Sequence, residues 1–228
     1  MGAVTAAPDR PRYHLQDSYA PGGLTRAFVR FMDKISKPRN QNPKPDCMTG
    51  FAEIKRAIID ALTPDLLTAQ YRAGLSPSDP AETGHCAVAS EAFYHIAGGK
   101  AAGFMPVVCG YTVVAGGQMV YGADRAEAER GASAGFARET HWWIRGPKGG
   151  KRGAGDVFDV TAAQYPFAFP YQNGHNTGFM QPQQKPSKRA QVVIDRVTEK
   201  LGADKLDAYR RANIIAFHRA NKPRAPKP

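Results

Sequence analysis

The run from Cys86 to Ala97 constrains the fold more than any other part of the chain. Ala87, Val88, Ala89, Ala92, Phe93, Ile96 and Ala97 give a helix that is apolar around much of its circumference, and Gly98-Gly99 closes it. Such a helix is a core element and needs cover on several sides. Beyond it the pattern turns strand-like over Phe104 to Val114, Thr140 to Arg145 and Asp156 to Val160, with Gly-rich turns between. Helical patterns precede and follow. Phe51, Ile54, Ile58, Leu62 and Leu66 recur at three- and four-residue spacing, and Pro64 should kink or divide that helix. Ser187 to Leu201 and Lys205 to Arg219 form a closing pair. Helices, a cysteine-led helix, strands and helices in that order predict an α+β fold.

The rest is connective. Residues 1–22 are rich in Pro, Ala and Gly and read as an arm. Leu24 to Ile35 suits a short amphipathic helix, and residues 37–45 make a basic, proline-rich linker. Ser76 to Pro80 reads as a turn, Asp124 to Arg130 as a charged insert of low consequence, and Pro166 to Gln184 as a loop. The expected organisation is an arm over 1–48, an α+β domain over 49–204, and a last helix with a basic tail over 205–228.

Charge is uneven. Of the net +11, the first 48 residues carry +4, the last 47 carry +8, and the middle carries −1. Basic ends admit phosphate contacts, yet no zinc finger, aromatic RNA-binding signature or basic zipper accompanies them. The other reading is solvated helix faces with a basic tail. No apolar run approaches the roughly 20 residues of a membrane span, and Met1 to Pro11 lacks the apolar core of a secretory signal. Three scattered cysteines do not make a disulfide framework. A soluble, cytoplasmic protein without a membrane partner is the expectation.

Three short segments carry chemistry: Gly84-His85-Cys86, His141-Trp142-Trp143 and Asp156-Val157-Phe158-Asp159. A thiol in the first turn of a helix feels unpaired N–H groups and the positive end of the helix dipole, so its pKa should fall. The same N–H groups suit an oxyanion, although a second donor is not identifiable. His141, opening an apolar strand, suits the general base, and Asp159 on the next strand suits its orienter, with Asp156 as a rival on the opposite face. His85, Trp142, Trp143 and His175 are candidate substrate contacts. His85 also fits a plain helix-start role, and one of the two tryptophans should be core. Cys47 and Cys109 read as structural, and His95 as a favourable cation near a helix C-terminus. Zinc held by His85, Cys86, His95 and His141 is disfavoured because no CxxC or HExxH pair is present, so no metal and no cofactor is expected. Serine-hydrolase, P-loop and dinucleotide fingerprints are absent.

Cysteine on a helix, then histidine and a polar orienter on consecutive strands, is the order of papain-like, transglutaminase-like and cell-wall peptidase folds. The papain-like version is a cysteine-led helix on a small antiparallel sheet with flanking terminal helices. Residues 83–95 with Gly98-Gly99-Lys100, then Thr140-His141-Trp142-Trp143, residues 159–165, Tyr171-Gln172-Asn173-Gly174 with Gly178-Phe179, and residues 186–190 resemble a YunG-like family of small phage and bacterial proteins. The likeness spans about residues 83–200. It implies a compact α+β unit with Cys86, His141 and Asp159 at matching positions, no settled substrate, and a phage origin, hence a host cytoplasm. Where proline would be expected after the aspartate, this chain has Val160. The expected function is a cysteine-dependent hydrolase or acyl transferase acting on an amide or isopeptide of a protein or peptide. The alternative is a non-catalytic phage protein that binds nucleic acid or an acidic host protein through its basic ends.

Overall fold

The computed structural model describes residues 45–114, 117–122, 124–131, 136–147, 155–179 and 185–222. The arm, the expected helix at 24–35, the linker up to residue 44, the Cys47 side chain and the tail beyond Lys222 lie outside the described residues. Among the described residues the fold is α+β, with six α-helices and a small five-stranded antiparallel sheet. The helices are α1 (Pro45–Ala61), α2 (Ala69–Ala73), α3 (Cys86–Ala97), α4 (Asp124–Gly131), α5 (Lys188–Leu201) and α6 (Ala203–Ala220). The strands are β1 (Met105–Val113), β2 (Met119–Tyr121), β3 (Ala137–Arg145), β4 (Val157–Phe158) and β5 (His175–Asn176). No described helix is long and apolar enough to cross a membrane.

Pro64 does divide the first helical run. It starts a 3-10 turn over Pro64–Leu66, and helix resumes at Ala69. The break leaves carbonyls that α5 satisfies: Arg196 donates to Ala61 O at 2.8 Å and to Thr63 Oγ1 at 2.7 Å, and Arg189 donates to Leu66 O at 3.1 Å. Helix α3 ends where the glycines require it, with Gly98 at φ 101, the left-handed region. Glu91, buried on α3, accepts from the Ser187 N–H and hydroxyl at 2.8 and 2.7 Å and so anchors the start of α5.

The sheet runs β2-β1-β3-β4. β1 and β3 pair along their whole length, which carries β3 back to Ala137, earlier than the sequence pattern shows. On its other side β1 is shared: β2 pairs with residues 111–113 and β5 with residues 107–108. β4 pairs only Val157 and Phe158 with Arg145 and Ile144. It stops short of the expected Val160 because Asp159 Oδ1 accepts from the Thr161 N–H at 2.9 Å and so turns the chain. The charged insert is a helix with a task. On α4, Glu129 accepts from Thr112 Oγ1 of β1 at 2.7 Å, Arg125 donates to the same hydroxyl at 3.2 Å, and Arg138 of β3 pairs with Glu129.

Neighbouring residues on a strand face opposite ways, and the sheet therefore separates two cores. Ile144 and Phe158 join α1, α3, α5 and α6 in the larger one, with Ile54, Ile58, Phe93, Ile96 and Val193. Val107, Cys109, Tyr111, Trp143 and Phe169 form the smaller one on the opposite face.

Candidate active site

Helix α3 abuts β3 along the stretch that β4 leaves unpaired. Cys86 and Ser90, one turn apart, donate to the carbonyls of Thr140 at 3.6 Å and Trp142 at 3.0 Å, two residues apart on β3. Helix and strand periodicities match here, so the helix start is fixed against the segment that carries His141.

His141 projects to the smaller core. It is fully buried, with ring centroids 4.5 Å from Phe169, 4.8 Å from Tyr165 and 5.7 Å from Trp143. Its Nε2 lies 2.7 Å from Asp159 Oδ2. Three further donors converge on that carboxyl: the Tyr171 hydroxyl at 2.8 Å, the Thr161 N–H at 2.9 Å and the Thr161 hydroxyl at 3.3 Å. Four donors fill the acceptor capacity of a carboxylate. The Nε2 proton of His141 is one of them, which leaves Nδ1 as the ring's acceptor. The Gln164 amide nitrogen occupies it at 3.3 Å and also donates to Thr161 Oγ1 at 2.9 Å.

The structure thus brings His141 and Asp159 into direct contact, while Cys86 is held by the residue before the histidine. Among the described residues no hydrogen bond joins the thiol to the imidazole. The thiol's pKa moves the opposite way from the sequence expectation. Burial pushes it up to about 11, and the backbone N–H groups of Trp142 on β3 and of Ala87 at the helix start only partly offset that. The Asp159 carboxyl lies near enough to the thiol for its charge to disfavour the thiolate. The helix dipole acts on every first-turn cysteine, but a thiolate also needs water, and this thiol has almost none. At neutral pH Cys86 therefore rests as the neutral thiol. Burial likewise raises the hydroxyls of Tyr111, Tyr165 and Tyr171, which stay protonated donors.

The other candidates are placed as follows. His85 is buried at the N-cap of α3, with Nδ1 3.0 Å from Thr83 O and Nε2 3.1 Å from Thr63 O. The ring thus lies between two backbone carbonyls, one in its own turn and one in the α1–α2 break, with its N–H groups the only possible donors to them. Trp143 is fully buried beside His141, while Trp142 is half-buried and stacks on Phe179 at 5.6 Å. His175 is exposed on β5, opposite Val108. Asp156, the rival orienter, is exposed. Cys109 is buried in the smaller core. No group of three or more His, Cys, Asp or Glu side chains gathers as a metal site among the described residues.

Sequence reasoning missed Thr161, Gln164 and Tyr171. An aspartate two residues before a threonine is a recognisable Asx-turn pattern and could have pointed to Thr161. Nothing local marks Gln164 or Tyr171, whose roles come from a loop folding back over β3. No family model, curated protein or solved structure matches the chain, and none identifies the YunG-like family.

Proposed function

We propose that the chain is a cysteine-dependent hydrolase or acyl transferase acting on an amide or isopeptide of a protein or peptide in the cytoplasm, within a papain-like arrangement and a YunG-like family. The observation that carries this reading is the buried His141–Asp159 pair, whose network leaves Nδ1 as a lone-pair acceptor on the residue next to the one that holds the Cys86 thiol. Cys86 gives its proton to Nδ1 as the sulfur attacks the carbonyl carbon, and the carbonyl electron pair moves to oxygen. Backbone N–H groups at the start of α3 stabilise that oxyanion. Collapse expels the amine, which takes the proton from His141, and leaves a thioester on Cys86. Water or another nucleophile then releases the acyl group.

A small acyl donor tests this without knowledge of the substrate. Treated with p-nitrophenyl acetate, the protein should carry a transient acetyl thioester on Cys86, located by peptide mass spectrometry. His141→Ala should slow its formation by about 100-fold, the low end for loss of a general base. Acetylation spread evenly over Cys86 and Cys109, or unaffected by His141→Ala, overturns the proposal and leaves binding through the basic ends as the better account. In that case DNA affinity should fall steeply with salt and be indifferent to Cys86→Ser.

A further inference from the structure

Asp159, His141, Gln164 and Thr161 form a closed ring of hydrogen bonds. His141 Nε2 and the Thr161 hydroxyl donate to the two oxygens of Asp159, and the Gln164 amide donates to both Thr161 Oγ1 and His141 Nδ1. All donors run toward the one acceptor-only group, so the ring fixes the proton on Nε2. It also spends the lone pair that a general base needs. The Cys86 thiol, which would have to reach that lone pair, donates instead to Thr140 O at 3.6 Å.

We propose that Gln164 is a latch on the base: its amide and the Cys86 thiol compete for Nδ1 of His141, so the site rests disengaged and is armed only when the amide withdraws. This inference rests on the hydrolase reading and adds its regulation. Two features fit the role. The Gln164–His141 bond, at 3.3 Å, is long for an N–H donor, whereas the His141–Asp159 pair beneath it closes at 2.7 Å, so the imidazole is held more tightly by its carboxyl than by the glutamine. Gln164 is also the one half-exposed member of a ring whose other three residues are buried, and it sits in a single 3-10 turn over Ala162–Gln164. An acyl substrate that offers the amide a carbonyl oxygen in place of Nδ1 would free the base as it binds. Gln164 is then a positioning residue, acting through His141.

Alkylation of Cys86 by iodoacetamide across about pH 6 to 9 reads the latch directly, because the thiolate is the reactive form. Gln164→Ala, and Gln164→Met, which keeps the side chain's length without its N–H, should speed Cys86 alkylation at neutral pH about tenfold, equivalent to a thiol pKa about one unit lower. The whole pH profile should move to lower pH, and the gain should vanish when His141→Ala is added. In the wild-type protein, 15N spectra of the His141 ring should show Nε2 protonated and Nδ1 bare, a readout that needs no variant to fold. The latch is overturned by an unchanged or slower rate in both Gln164 variants, by a gain that survives His141→Ala, or by a proton on Nδ1. Acetylation by p-nitrophenyl acetate is scored separately. Its loss of His141 dependence is failure of the triad, whereas intact acetylation with a flat Gln164 response is failure of the latch alone.

Discussion

On one face of the sheet Phe158 stacks on Phe93 at 5.5 Å and meets the edges of Phe51 and Phe104 at 5.0 and 5.5 Å, with aliphatic side chains of four helices around them. On the other face an imidazole and a carboxyl lie among Trp143, Tyr165, Phe169 and Tyr171. Both faces exclude water, but for different ends. The first gains stability from apolar area and shape alone. The second surrounds ionisable groups with aromatic rings, and His141, Asp159, Gln164 and Tyr171 partner one another there without water, whereas the buried Trp143 Nε1 has no hydrogen-bond partner among the described residues. The difference teaches that stability and chemistry are divided between the faces, and that β3 belongs to both.

That division can be tested by injuring each face in turn. Phe158→Ala empties the centre of the larger core and should cost about 3–5 kcal/mol in denaturant unfolding. The acetylation rate of the fraction that remains folded should be little changed; a site lost in step with stability would mean that the faces are not separable. Asp159→Asn keeps the shape of its site and should cost about 1–3 kcal/mol for donors left poorly paired. Acetylation of Cys86 should nevertheless fall by at least about 100-fold as the imidazole loses its orienter. Tyr171→Phe removes one of four donors to Asp159. It should cost about 1 kcal/mol and only a few-fold in rate, because three donors remain. The smallest effect concerns α4. Arg138 and Thr112 hold the Glu129 carboxyl down to about 2, from an ordinary value of 4.5. A carboxyl lowered in the folded state stabilises it above its unfolded pKa and loses that contribution as pH falls toward the folded one. Hydrogen-exchange protection factors, taken relative to the unfolded chain at the same pH, should therefore fall in α4 and the facing part of β1 between pH 4.5 and about 2, before the larger core opens.

Local pattern was enough for much of the larger core. The 3- and 4-residue spacing over 51–66, the apolar run behind Cys86 and the two closing helices all appear where periodicity places them, because each element's buried stripe is written along its own segment. The smaller face was harder to read. β5 is two residues long and exists only because residues 175–176 find the part of β1 that β2 leaves free. α4 has no apolar stripe, and its packing depends on Thr112, a residue from another strand. At the site, the cysteine, histidine and aspartate could be singled out by type and order, and the structure sets two of them in contact. The direction of the thiol's pKa could not be read, because burial is a property of the assembled fold, whereas the helix start is visible locally. The basic C-terminal region invited a nucleic-acid partner, yet Arg189 and Arg196 cap the α1 break, while Lys200 and Lys205 pair with Asp60 and Glu53 of α1. Charge counted along a sequence does not reveal which cations the fold itself consumes.

The seam between α3 and β3 has one more consequence. A strand flank with unpaired carbonyls is a template on which a second polypeptide can add a strand and begin a fibril. Here β4 guards only the end of that flank, and the side chains of Cys86 and Ser90 occupy the Thr140 and Trp142 carbonyls beyond it. The cysteine-led helix α3 therefore covers the flank that β4 leaves open, and the strand most concerned with the site is closed to a further strand by a helix.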